Sequence, residues 1–99
     1  MSLPSDIIAR INHDFVHDSP GAIVARLEEL SATKPATFSE SRIIRCLIFA
    51  ADGSRQKLES AILMAYIDPR DLILSAEYEL DETNQKCTRL RDFGKPFSN

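Results

Sequence analysis

Two histidines four residues apart, in His13-Asp14-Phe15-Val16-His17, are the pattern in this chain best suited to chemistry. On a helix that spacing puts both imidazoles on one face, where they could hold a metal. It echoes His-Glu-x-x-His, whose Glu serves as general base. Here Asp14 stands in the Glu position, and its shorter arm does not reach the same water. There is no third histidine in the chain. A further ligand would have to be a carboxylate or a thiol. The pattern also precedes Ser19-Pro20, a helix-start signal. Histidines in a last helical turn are favoured by the helix dipole without any metal. His13 and His17 are therefore the metal-ligand candidates, beside that plainer role.

Other local patterns point to less. Asp92-Phe93-Gly94 matches the magnesium-binding tripeptide of protein kinases. The glycine-rich loop, strand lysine and catalytic loop that go with it are missing. A turn at Gly94 is the simpler reading, with Pro96 fixing it and Phe93 and Phe97 pinning the tail. Ser54, Arg55, Gln56 and Lys57 follow Asp52-Gly53 as the reading positions of a helix-turn-helix would. A capped, solvated first turn accounts for them equally. Ser39 and Ser41 have no histidine nearby in sequence. Cys46 sits in an apolar run, where a thiol behaves as a small hydrophobe, and Cys87 is expected exposed and unactivated. No catalytic residue and no cofactor are assigned, and the balance is against an enzyme.

Composition narrows the partners. Twelve basic and 15 acidic side chains leave a net charge of −3. That is too mild for a polyanion or a charged membrane surface, and its sign disfavours nucleic acid. Two cysteines make no disulfide framework and suit a reducing compartment. The opening Met1-Ser2-Leu3-Pro4 lacks the basic start and apolar block of a signal peptide. The apolar runs fall far short of a membrane span. A cytoplasmic protein with no membrane partner is expected.

The elements that would position these residues are helical. Ile7, Ile8, Ile11 and Phe15 form one stripe, with Ser2 or Ser5 as cap. Ser19-Pro20 starts a second helix carrying Ile23, Val24, Leu27 and Leu30. A loop over 31–37 follows, then a capping box from Thr37 to Glu40, with Ser39 as the competing cap. The third helix carries Ile43, Ile44, Leu47 and Ile48 and closes at Asp52-Gly53. Ser54 caps a fourth, with Leu58, Ala61, Ile62, Ala65 and Tyr66 on one face and Leu63, Met64 and Ile67 widening it. Asp68-Pro69 starts a fifth with Leu72, Ile73, Ala76 and Leu80. In the final quarter Glu77, Glu79, Asp81 and Glu82 give way to Lys86, Arg89, Arg91 and Lys95. Weak surface pairing is favoured there over a charged docking tail, because Leu90, Phe93 and Phe97 give the tail apolar reasons to dock.

The expectation is an all-α fold: an irregular antiparallel bundle of about five short helices with a loosely ordered C-terminal tail. The division falls at 1–82 for the bundle and 83–99 for the tail packed on it. The expected core is Ile7, Ile11, Phe15, Ile23, Val24, Leu27, Ile43, Ile44, Leu47, Ile48, Leu58, Ile62, Tyr66, Leu72, Ile73 and Ala76.

From Arg42 to Phe97 the chain resembles a group of small uncharacterised bacterial proteins. The residues that carry the resemblance are Arg45-Cys46-Leu47, Ala51-Asp52-Gly53, Lys57-Leu58-Glu59, Asp68 to Ile73, Ala76-Glu77-Tyr78, Arg91-Asp92-Phe93 and Pro96-Phe97. It implies a helical fold and a bacterial origin, and it brings no activity, cofactor or site residue. The functional expectation rests instead on the apolar excess of the fourth helix. That excess suggests a non-catalytic protein-interaction module, either self-associating as a homodimer or masking a partner as a small inhibitor or immunity-type protein. A metal-dependent protein using His13 and His17 and a helix-turn-helix nucleic-acid binder are the alternatives.

Overall fold

Alternation of capping signals and apolar stripes divides the described residues into six helices, followed by a hairpin. The helices are α1 (Ser5–Asp14), α2 (Pro20–Thr33), α3 (Pro35–Phe38), α4 (Ser41–Ala51), α5 (Arg55–Ile67) and α6 (Pro69–Glu77). Two short strands follow, β1 (Tyr78–Asp81) and β2 (Lys86–Arg89), paired antiparallel with Tyr78 opposite Arg89 and Asp81 opposite Lys86. The computed structural model describes residues 3–81, 86–89 and 91–97, with side chains up to Tyr78 and again from Arg91. Ser2 and Leu90, and the side chains of Glu79, Leu80, Asp81, Glu82, Lys86, Cys87 and Arg89, lie outside that description. The fold is an all-α bundle with this hairpin added to its C-terminal side.

Helix α4 lies at the centre. Residues 43–48 and Ala51 are all buried in it, and it packs on α1, α3, α5 and α6. Around it α1 contributes Ile7 and Ile11, with Phe15 just beyond its end; α2 adds Ile23, Leu27 and Leu30. Leu58, Ala61, Ile62 and Ala65 come from α5, and Leu72 and Ala76 from α6. Each fully buried aliphatic or aromatic side chain contributes about 1.5–3 kcal/mol by leaving water. Leu3, Phe38 and Phe93 complete the core, while Val24 and Ile73 are only partly buried against it.

Of the expected capping side chains, Ser54 and Asp68 form their bonds, whereas Ser19 precedes Pro20 in left-handed backbone at φ 52° and makes no side-chain cap bond. The Ser54 hydroxyl accepts from the Lys57 amide at 3.3 Å. The Asp68 carboxylate accepts from the Arg70 amide at 3.0 Å, with Pro69 as the first helical residue. Asp52 and Gly53 both adopt left-handed backbone, at φ 47° and 77°. Gly53 is needed for a second reason: a Cβ there would stand 2.6 Å from the Asp14 carbonyl oxygen.

Four further local expectations are corrected. The 31–37 loop is mostly helix, because α2 runs to Thr33 and Pro35 opens the single turn α3. The capping box over Thr37–Glu40 does not form. Thr37 belongs to α3, and α4 starts from Glu40 with no side-chain cap. Ser5 is the first residue of α1 rather than its cap, and Pro4 occupies the cap position. Helix α6 stops at Glu77, so Leu80 falls in β1.

Candidate functional site

Helix α1 ends at Asp14, which separates the two histidines. His13 is in the last turn with its side chain 83% exposed, and its Nδ1 lies 2.9 Å from an Asp14 carboxylate oxygen. Asp14 also accepts from Arg10 Nε at 2.8 Å. His17 sits in the turn beyond the helix, exposed. Among the described residues no group of three or more His, Cys, Asp or Glu side chains is placed to hold a metal ion.

The side chains that do converge are charged ones from distant parts of the chain, which carry no local signal of their pairing. Glu77, at the end of α6, is fully buried. Its two carboxylate oxygens accept from Arg42 Nε and Nη2, both at 2.8 Å. One of them also accepts from the Phe93 amide at 3.2 Å. Beside this pair, Arg45 is buried within α4 and donates two bonds to Asp6 on α1, at 2.9 and 3.2 Å. Its third bond goes to the Phe93 carbonyl at 3.1 Å. Asp6 in turn accepts from the Phe97 amide at 3.1 Å. Forked guanidinium–carboxylate pairs of this kind are the strong, directional form of ion pair.

These bonds clamp the segment 91–97 across α1, α4 and α6. Arg91 adds to them: it donates to the Ala76 carbonyl at 2.7 Å, meeting the open carbonyl end of α6, and stacks 4.3 Å over Phe49. Phe93 packs between Phe49 and Phe97, with centroids at 5.4 and 5.7 Å. The Asp92 carboxylate accepts from the Gly94 amide at 2.9 Å, so Asp92-Phe93-Gly94 is a turn. Phe93 and Phe97 are the anchors that hold this turn to the bundle.

Cys46 lies at the edge of the cluster, its Sγ 4.0 Å from the Glu77 carboxylate. Burial first, and the Glu77 charge second, push its thiol up to about 12. It is a neutral thiol at physiological pH, not a nucleophile. Arg45 and the Phe97 amide hold the Asp6 carboxyl below its ordinary range against the opposing effect of burial, with Arg45 the largest influence. Among the described residues no buried side-chain nitrogen or oxygen lacks a partner. The cluster is internally complete and acts as a clamp.

The outer side of α5 differs. Leu63, Met64, Tyr66 and Ile67 are 61, 41, 48 and 77% exposed, and Leu74 on α6 is 49% exposed. Tyr66 was expected in the core. It lies on the flank instead, edge-on to Phe38 at 5.2 Å. Leu63 and Ile67 fall on one stripe with Gln56 and Ser60, opposite the buried Leu58, Ala61, Ile62 and Ala65. Met64 borders that stripe toward α6, where the Ser75 hydroxyl lies 4.0 Å from its sulfur. Arg55, Gln56 and Lys57 are exposed in the first turn of the same helix, after the three-residue turn 52–54. No helix among the described residues is long and apolar enough to cross a membrane. No family model, curated protein or solved structure matches the chain.

Proposed function

We propose that this is a non-catalytic protein-interaction module whose contact surface is the outer face of α5 with the adjoining Leu74 of α6. One observation carries the reading: four large apolar side chains stand exposed, Leu63, Met64 and Ile67 within five residues on the outer side of α5 and Leu74 on the neighbouring helix α6. Scattered apolar residues on a surface are ordinary. A contiguous group on one face is the kind of patch that marks a contact site. Exposed charged residues neighbour it along the chain, among them Lys57, Glu59, Arg70 and Asp71, as polar groups border the apolar centre of an interface. The buried groups of the clamp are engaged with one another, Glu77 and Asp6 in ion pairs, and Cys46 is a neutral thiol. A cytoplasmic setting fits a free buried thiol.

The test is site-specific photo-cross-linking in the native host. A photoreactive residue at Leu63 is expected to give a discrete cross-linked species, and one at exposed Asp52, beyond the other end of α5, none. No discrete species from Leu63, or the same species from both positions, would overturn the reading.

A further inference from the structure

The occupant of the α5 face can be named from the spacing and charge of the helix itself. Gln56, Ser60, Leu63 and Ile67 recur at intervals of four, three and four residues, the spacing of the seam between two packed helices. All four are exposed, and the residues on the opposite side are committed to the core of their own chain. A helix presenting such a seam calls for another helix laid along it. The small Ser60 leaves space on the seam beside the large Leu63 and Ile67, so knobs from a partner helix have holes to enter.

The ends of the seam carry opposite charge. Arg55 and Lys57 lie in the first turn of α5. Asp68 and Asp71 lie past its last turn, and Arg70 there is already turned toward Asp68, with 3.8 Å between its Nε and the carboxylate. A helix with a basic start and an acidic end is complementary to itself when reversed. Two copies related by a two-fold axis across α5 set the basic start of each against the acidic end of the other, and their helix dipoles also oppose favourably.

We propose that the face is occupied by a second copy of this chain, with the two α5 helices antiparallel and the two-fold axis passing near Leu63. The proposal rests on the reading of this face as a contact surface and names its partner. It gives each copy cover for Leu63 and Ile67, with Met64 and Leu74 at the flanks.

The geometry makes the arrangement testable. Leu63 of one copy lies beside Leu63 of the other. Gln56 lies seven residues further along, so at 1.5 Å per residue its two copies stand roughly 20 Å apart, beyond the reach of a disulfide. The experiment uses the full chain with Cys87→Ser, leaving buried Cys46 in place. Under mild oxidation Leu63→Cys is expected to form a covalent dimer and Gln56→Cys to remain monomeric. By sedimentation at about 100 μM, a range where modest self-affinity registers, the unaltered chain is expected at twice its 11.1 kDa mass. Leu63→Glu with Ile67→Glu is expected at the single mass with unchanged helical circular dichroism, since neither side chain is in the core. A monomeric mass for the unaltered chain, or linkage of Gln56→Cys as ready as that of Leu63→Cys, would overturn the proposal. Monomeric sedimentation combined with a cross-link from Leu63 to a different protein in the host would overturn self-pairing and leave the contact surface standing. The absence of both would overturn the two together.

Discussion

The Glu77 carboxylate grips the Arg42 guanidinium with two 2.8 Å bonds at a point water does not reach on the glutamate side. The two residues are 35 apart in sequence, at the end of α6 and the start of α4. Because Glu77 also takes the Phe93 amide, one side chain ties two helices and the C-terminal segment together. Losing Arg42 leaves the fully buried Glu77 charge stranded, which costs far more than the pair gains over water, whereas Arg42 is partly exposed and can turn to solvent if Glu77 is lost.

Arg42→Ala is therefore expected to destabilise the chain by about 3–5 kcal/mol, the usual result of leaving a buried charge without its partner. The exposed pair Arg26–Glu59, at 3.1 Å between α2 and α5, supplies the contrast. Arg26→Ala is expected to cost no more than about 1 kcal/mol. Urea denaturation of both variants measures the difference. Equal, small effects would mean that Glu77 is solvated in solution.

The Asp6–Arg45 pair sets a pH dependence. The Asp6 carboxyl is held below its ordinary 3.8, chiefly by Arg45. A carboxylate with a depressed folded pKa contributes stability that is fully present above its unfolded value. That stability is lost as pH falls below about 4 and through the folded value. Asp6→Asn is expected to lower stability at neutral pH and to flatten its fall between about pH 4 and 2. Denaturation midpoints across that range check it, and an unchanged slope in the variant would count against the pair.

Cys46 is expected to resist thiol reagents for as long as the bundle stays folded. In a Cys87→Ser background, labelling by a neutral alkylating agent at pH 8 should be slow and should rise with urea along the unfolding curve. The buried thiol, pushed up to about 12, offers almost no thiolate at that pH. Rapid labelling of the native chain would show that the α4–α6 junction opens locally.

Gly53 and Gly21 are expected to respond in opposite directions to alanine. At Gly53 the backbone has φ 77° and a Cβ would meet the Asp14 carbonyl oxygen at 2.6 Å. Gly53→Ala should cost about 1–2 kcal/mol from the left-handed backbone alone, and more from moving the end of α1. Gly21, inside the first turn of α2, has nothing within 4 Å of that position. Gly21→Ala should be neutral or stabilising by up to about 1 kcal/mol. Thermal unfolding of the two variants decides.

What could be read from the chain alone follows the range of each interaction. The Ser54 and Asp68 caps reach two or three residues along the chain, so the residue types suffice to place them. The stripes of α1, α2, α4 and α5 are legible for the same reason, since period and burial coincide. The capping box at Thr37–Glu40 misled because Pro35 opens a helix only one turn long, and its end takes the residues that would have formed the box. Tyr66 misled because it flanks the buried stripe, where the Phe38 ring meets only its edge. The clamp was not legible at all: Glu77 reads as one of a run of surface charges, and Arg42, Arg45 and Asp6 give no local signal, until partners 35 and 39 residues away are brought together. The hairpin has too little alternation over four-residue strands to announce itself. The excess apolar surface of α5 was legible, but whether the chain's own helices cover it depends on the tertiary fold.

On the proposed function, the outer face of α5 is a surface for contact and has no part in holding its own chain together. The concentration dependence of unfolding measures this directly. The denaturation midpoint of the unaltered chain should rise between about 1 and 100 μM, because association stabilises the folded state by mass action. That of Leu63→Glu with Ile67→Glu should stay flat and match the unaltered chain at the dilute end, within the roughly 0.5 kcal/mol usual for surface changes. A flat midpoint for the unaltered chain, together with a variant several kcal/mol less stable at every concentration, would place those side chains inside the fold and contradict the account.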